Sequence, residues 1–207
     1  MPRLPRWTSL MFAIIALGPL TAAADDSGMF APERIGRWYI GGGLGGFKEE
    51  SNSQLQNPDE QFGTFFSGGY RLSRNIALEI DALLSHQEFD TPPAGINGRK
   101  SDFYTNGVGG VAKFILPLDR AELYAGGGIG IYTSTVQLDG NNFEDDEDDT
   151  NFGYQLLLGA DFFVSRHFSI GVEYRHFKLD ANFDTNLLPG KIDAGGDFLF
   201  ATFRGYF

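Results

Sequence analysis

From residue 37 onward the chain alternates apolar and polar residues with a period of two, in eight stretches, and the connections between them alternate between short and long. The stretches are 37–47, 61–72, 76–85, 102–116, 121–132, 152–163, 168–177 and 197–207. Three connections are brief: Ser73-Arg74-Asn75, Pro117-Leu118-Asp119-Arg120 and Val164-Ser165-Arg166-His167. The other four, residues 48–60, 86–101, 133–151 and 178–196, are long and polar. A sandwich has no need of such strict alternation, whereas a barrel threaded through an outer membrane has tight turns at one rim and long loops at the other. The pattern predicts an all-β fold, an eight-stranded antiparallel up-and-down transmembrane β-barrel, with both termini on the short-turn, periplasmic side.

A soluble lipocalin-like barrel also has eight strands, but its apolar face points inward, around a ligand. Charge parity separates the two. In the third stretch one face reads Ile76, Leu78, Ile80, Ala82, Leu84, and the other Ala77, Glu79, Asp81, Leu83, Ser85. Arg71, Glu79, Asp81, Lys113, Glu122, Asp161, Glu173, Arg175 and Arg204 all fall on the face opposite the apolar one. A basic residue turned to lipid at mid-bilayer costs about 2–4 kcal/mol, while charges turned into a narrow lumen can pair. An eight-stranded barrel is just wide enough for side chains to fill, so these nine residues are expected to form a lumen charge network that plugs it. A gated ion path is the alternative. Trp38, Tyr39, Tyr70, Phe162, Phe163 and Phe168 stand near strand ends, where interfacial aromatic girdles form.

The first residues read as an address. Arg3 and Arg6 precede the apolar run LMFAIIAL (10–17), Gly18-Pro19 breaks it, and Ala22-Ala23-Ala24 is a small-residue cleavage site. The run is shorter than the roughly 20 apolar residues needed to span a bilayer. The expected organisation is a signal peptide at 1–24 cleaved after Ala24, a short periplasmic segment at 25–36, and a barrel at 37–207.

Composition narrows the function. A net charge of −11 argues against nucleic acid, which selects basic surfaces. With no cysteine there is neither a disulfide framework nor a thiolate metal site. The 28 glycines include Gly41-Gly42-Gly43-Leu44-Gly45-Gly46 and Gly126-Gly127-Gly128-Ile129-Gly130. No Lys-Ser follows either, so they are not phosphate loops; they read as close strand approach and space in a crowded lumen.

The ending Phe198-Leu199-Phe200-Ala201-Thr202-Phe203-Arg204-Gly205-Tyr206-Phe207 resembles the C-terminal assembly signal of bacterial outer-membrane proteins. Phe203, Tyr206 and Phe207 carry its aromatic character, Leu199 and Ala201 its alternation, and Gly205 stands where a larger residue is usual. The stretch Ile170-Gly171-Val172-Glu173-Tyr174-Arg175-His176-Phe177 resembles the penultimate strand of OmpA-like, opacity-type porin-family barrels. The resemblance spans residues 37–207, and the peptidoglycan-binding domain of full-length OmpA is expected to be absent. It implies an outer-membrane location and contact with outer-membrane lipid and lipopolysaccharide. It also implies assembly by periplasmic chaperones and the barrel-assembly machinery, and no cofactor. A host surface ligand would meet the long loops.

Two further constellations could carry chemistry. Glu144, Asp145, Asp146, Glu147, Asp148 and Asp149 form an acidic run in the third long connection. Carboxylates suit calcium, but the run lacks the turn glycine of an EF-hand, so a solvated loop is the simpler reading and the run is a weak metal candidate. The histidines are His86, His167 and His176. Small barrels that deacylate lipid A place a serine two residues after a histidine; here Lys178 follows His176, and no nucleophilic triad can be mapped.

Overall fold

The computed structural model describes residues 36–49, 60–89, 98–140, 143–184, 189–193 and 195–207; the expected signal peptide and periplasmic segment lie outside them, Gly36 excepted. Side chains are described for 36–46, 62–86, 104–135, 149–179 and 195–207. The strands are β1 (Trp38–Glu49), β2 (Glu60–Arg71), β3 (Ile76–Phe89), β4 (Gly98–Pro117), β5 (Ala121–Gly140), β6 (Phe143–Ser165), β7 (Phe168–Asp184), β8 (Pro189–Asp193) and β9 (Gly196–Tyr206). Each of the first seven pairs antiparallel with the next. β9 bridges β7 and β1, with Phe168 opposite Gly205 and Tyr39 opposite Tyr206. The sheet therefore closes on itself as an eight-stranded antiparallel barrel. The remaining strand, β8, pairs with the outer end of β7, from Asp180–Asp193 to Asp184–Pro189.

The short turns are held by local bonds. Ser73 N donates to Ile76 O at 3.1 Å, and Asn75 Nδ2 reaches across to Ile115 O at 2.8 Å, tying the first turn to β4. Leu118 N donates to Ala121 O and Tyr206 N to His167 O, both at 2.8 Å. Gly36, with φ at +74°, turns the chain into β1, where its N–H donates to Arg71 O.

The wall obeys the alternation. Ile40, Leu44, Phe66, Ile80, Val108, Ile129, Leu158, Val172 and Leu199 are exposed on the outside, as a lipid-facing belt requires. Trp38, Phe162 and Phe168 stand outward at the short-turn rim. Tyr39 and Phe163, expected in that girdle, instead face inward; they pack with Tyr206, at ring-centroid distances of 5.4 and 5.5 Å from it. They sit one residue away from outward-facing neighbours, and a one-residue step reverses the face.

The long connections contain more strand than expected. β5 and β6 stay in register from Thr133–Thr150 to Gly140–Phe143, so most of 133–151 is hairpin, and the acidic run at 144–149 lies on β6. Asp149, Asp148 and Glu147 oppose Ser134, Thr135 and Val136. β4 follows β5 as far as Gly98, and β3 and β4 remain paired to Phe89–Ser101. Much of 86–101 and 178–196 is strand for the same reason. Above the membrane both faces of a sheet meet water, so apolar alternation fades while the backbone ladder continues.

Aromatic rings fill the lumen by lying over glycines of adjacent strands. A Cβ at Gly69 would come within 2.2 Å of the Tyr39 ring, and one at Gly159 within 2.3 Å of Tyr124. The outward Gly110 has nothing within 4 Å of such a Cβ. Gly159→Val is therefore expected to destabilise the barrel by about 1–3 kcal/mol, the usual cost of overpacking. Gly110→Ala is expected to stay within about 0.5 kcal/mol. Urea unfolding in detergent micelles, followed through Trp38 fluorescence, measures both.

Candidate functional site: the lumen column

The inward face of the barrel carries an ordered column of side chains, read here from the short-turn rim outward. At the rim Arg71, the last residue of β2, grips Glu122 of β5 with two bonds of 2.9 and 3.2 Å. Its remaining donors satisfy the carbonyls of Ser73 and Arg74 in the turn. Above it lies a small apolar cluster of Ala77, Val111, Ile115, Leu157 and Phe163 with the rings of Tyr39, Tyr124 and Tyr206.

The next rungs are ionic. Arg204 of β9 holds both oxygens of Asp161 at 2.5 Å and donates to Glu173 Oε2 at 2.8 Å. Lys113 of β4 bridges Glu79 Oε2 at 2.8 Å and Glu173 Oε2 at 3.4 Å. Tyrosines complete these rungs. Tyr39 OH donates to Glu79 Oε2 at 2.9 Å, and Tyr124 OH donates to Glu173 Oε2 at 3.0 Å and accepts from Arg204 at 3.1 Å. The Lys113 ammonium and the Arg204 guanidinium each lie 4.9 Å from the Tyr124 ring centroid, close enough for cation–π attraction in a site screened from water.

Arg175 of β7 crowns the ionic part and is fully buried. Its guanidinium binds Glu173 Oε1, Asp81 and Gln155 Oε1, the last at 2.8 Å, while Gln155 Nε2 returns bonds of 3.1 and 3.2 Å to Asp81. One face of Arg175 rests on the Phe65 ring, 4.4 Å from its centroid. The guanidinium fork makes this possible, because it donates in several directions in one plane and leaves its faces free to stack.

Beyond Arg175 the column turns aromatic. Phe65, Phe198 and Phe200 pack together, with Phe65–Phe200 edge to face at 4.9 Å and Phe198–Phe200 stacked at 5.2 Å. Tyr132 meets Phe177 edge to face at 4.5 Å. Ser85, Thr105 and Ser134 follow, with Thr105 Oγ1 and Ser134 Oγ 3.3 Å apart.

The structure thus brings all nine inward charges into this column, Arg71 and Glu122 as a pair at the rim and the other seven as one connected group. Sequence reasoning missed Tyr39, Tyr124 and Gln155, which share the charged parity. It also missed the aromatic cap of Phe65, Tyr132, Phe177, Phe198 and Phe200, where the available signal was an inward-parity ring beside an inward-parity glycine on an adjacent strand. Of the residues singled out at the C-terminus, Phe203 and Phe207 face outward, while Tyr206 is buried in the lumen. His176 faces outward near the far rim, its Nδ1 2.9 Å from Asp197 Oδ1, which also accepts from Tyr174 OH at 2.7 Å. In the acidic run, Asp149 accepts from Asn151 at 2.5 Å; the side chains of residues 144–148 lie outside the described set. Among the described residues no group of three or more His, Cys, Asp or Glu could hold a metal ion.

The architecture and the sequence both find relatives. The structure resembles OprG of Pseudomonas aeruginosa with a TM-score of 0.60 at 15% identity, covering 88% of this chain and 99% of that one. Neisserial surface protein A matches with a TM-score of 0.55 at 17% identity, covering 84% and 98%. The attachment invasion locus protein Ail of Yersinia pestis, solved with the heparin analogue sucrose octasulfate, matches with a TM-score of 0.50 at 18% identity, covering 83% and 98%. No curated protein matches the sequence. A family model for the outer membrane protein beta-barrel domain matches residues 10–194. With a lipid-facing apolar wall around a closed eight-stranded lumen, the chain belongs to the outer membrane protein beta-barrel domain family of the bacterial outer membrane.

Proposed function

We propose that this barrel is a non-enzymatic protein that supports envelope integrity and presents its outer hairpins and loops at the cell surface. One observation carries this reading: the described lumen is packed from rim to cap by paired charges and stacked rings, with Arg175, Phe65 and Phe200 fully buried at its middle. Function then moves to the outer ends of the strands, where exposed connections vary on a rigid scaffold. The acidic stretch between Asp139 and Asp149 would repel sulfated polyanions of the kind bound by Ail, so a host-facing contact here favours a neutral or cationic surface. Lipopolysaccharide would surround the wall, and the C-terminal strand would engage the assembly machinery through Phe203, Tyr206 and Phe207. A strain lacking the protein should become more sensitive to bile salts and detergent and recover when the full chain is restored. Unchanged sensitivity would count against the envelope role.

A narrow channel is the second reading, favoured by the continuity of the polar rungs between Arg204 and Gln155. Arg175→Leu separates the two. It takes from Asp81 its paired cation and from Glu173 the donor to Oε1, and breaking a buried pair by removing one partner typically costs about 3–5 kcal/mol. For a structural plug the variant should unfold at lower urea and leave planar-bilayer conductance near baseline. For a gated path it should open a steady conductance.

A lipid A-modifying enzyme is the third reading. His176 has an acidic orienter in Asp197, but the position two residues on, where the acyl-transfer serine would stand, is Lys178. Mass spectra of lipid A from expressing cells should show every acyl chain retained; a lost chain would reinstate the enzyme.

A further inference from the structure

The inner charges do not balance. Among the described residues the lumen buries five carboxylates, Glu79, Asp81, Glu122, Asp161 and Glu173, against the four cations Arg71, Lys113, Arg175 and Arg204. The surplus is one negative charge inside a barrel wall surrounded by lipid, where an uncompensated ion is strongly disfavoured.

A second, independent observation locates it. Those five carboxylates have ten oxygens, and nine accept at least one hydrogen bond from Arg, Lys, Gln, Tyr or Thr. The tenth, Glu79 Oε1, is buried with no partner, although Glu79 Oε2 is held by Lys113 and Tyr39. On the adjacent strand, Ser67 Oγ is another buried oxygen without a partner. Ser67 stands opposite Asp81, diagonal to Glu79 across the β2–β3 pairing, and both side chains face the lumen.

We infer that Glu79 Oε1 and Ser67 Oγ are protein ligands of a small monovalent cation, sodium or potassium in class, with water completing its shell. The charge of such an ion equals the surplus, and hard oxygen donors suit it. A divalent ion would overshoot the balance by one and prefers more carboxylate oxygens; no cluster of three or more such side chains occurs among the described residues. The ion belongs to the folded barrel alone, because unfolding separates β2 from β3, so it adds to stability in proportion to its occupancy.

The test uses the full barrel refolded in detergent, at constant ionic strength and pH. Replacing sodium or potassium chloride with N-methyl-D-glucamine chloride, whose cation is too large for the lumen, should lower the wild-type thermal midpoint by several degrees. Glu79→Gln removes the surplus charge while keeping a polar side chain, so its midpoint should be the same in all three salts. Crystals soaked in thallous ion should show anomalous density beside Glu79 in the wild type and none in Glu79→Gln. Equal wild-type midpoints in all salts, absent thallous density, or a Glu79→Gln protein as cation-sensitive as the wild type would each overturn the site. If Glu79→Gln does not fold, Ser67→Ala decides alongside the wild-type density. Its midpoint should need higher sodium concentrations to plateau, and an unchanged sodium dependence would count against the site.

Discussion

A chain that crosses a bilayer with strands must satisfy every backbone N–H and C=O from within itself, because hydrocarbon offers no partner. Here the pairing of β9 with both β1 and β7 discharges that obligation by leaving the barrel without an edge. Closure at eight strands makes the interior narrow, and from that width the rest of the molecule follows. Inward side chains cannot avoid one another, so they must be chosen to pair or to interleave. Glycine stands wherever a neighbour's ring needs the room, as at Gly69 beneath Tyr39 and Gly159 beneath Tyr124.

The column inside the barrel solves two problems at different heights. Its inner half holds charges, which would be costly in isolation but are joined through Arg175, Glu173 and Arg204 so that each ion serves several partners. Its outer half is aromatic and needs no such bookkeeping. The two halves meet where the Arg175 guanidinium lies on Phe65, using its edges for Asp81, Glu173 and Gln155 and its face for the ring. A lysine at this position would present a point charge and lose both the fork and the stacked plane. Arg175 is therefore the residue on which both parts of the plug depend.

Much of this was legible in the residues. Alternation, the short turns at 73–75, 117–120 and 164–167, and the parity of nine charges were enough to name the architecture and to say which side chains point inward. The signal weakened where the environment stopped being one-sided. At the outer ends of β5 and β6 both faces meet water, so a paired hairpin reads like a polar loop. Inside, the expectation of a polar lumen hid the aromatic cap, because Phe65, Phe177, Phe198 and Phe200 are hydrophobic residues on the inward parity. Tyr39 and Phe163 read as girdle residues for a related reason: closeness to a strand end is visible in a sequence, while the face taken by one residue there depends on register.

By itself the sequence determined the alternation, and with it the class of fold, the lipid-facing wall and the membership of the inner face, because period two is a local property of an extended chain. Tertiary structure alone decided who meets whom. Glu173 lies 60 residues from Lys113, and Arg175 lies 94 from Asp81; such partnerships depend on strand stagger and closure, which no local pattern encodes. The same is true of the feature that distinguishes Glu79. Its charge can be read from the chain, but that one of its oxygens is left unpartnered emerges only once Lys113 and Tyr39 have both taken the other.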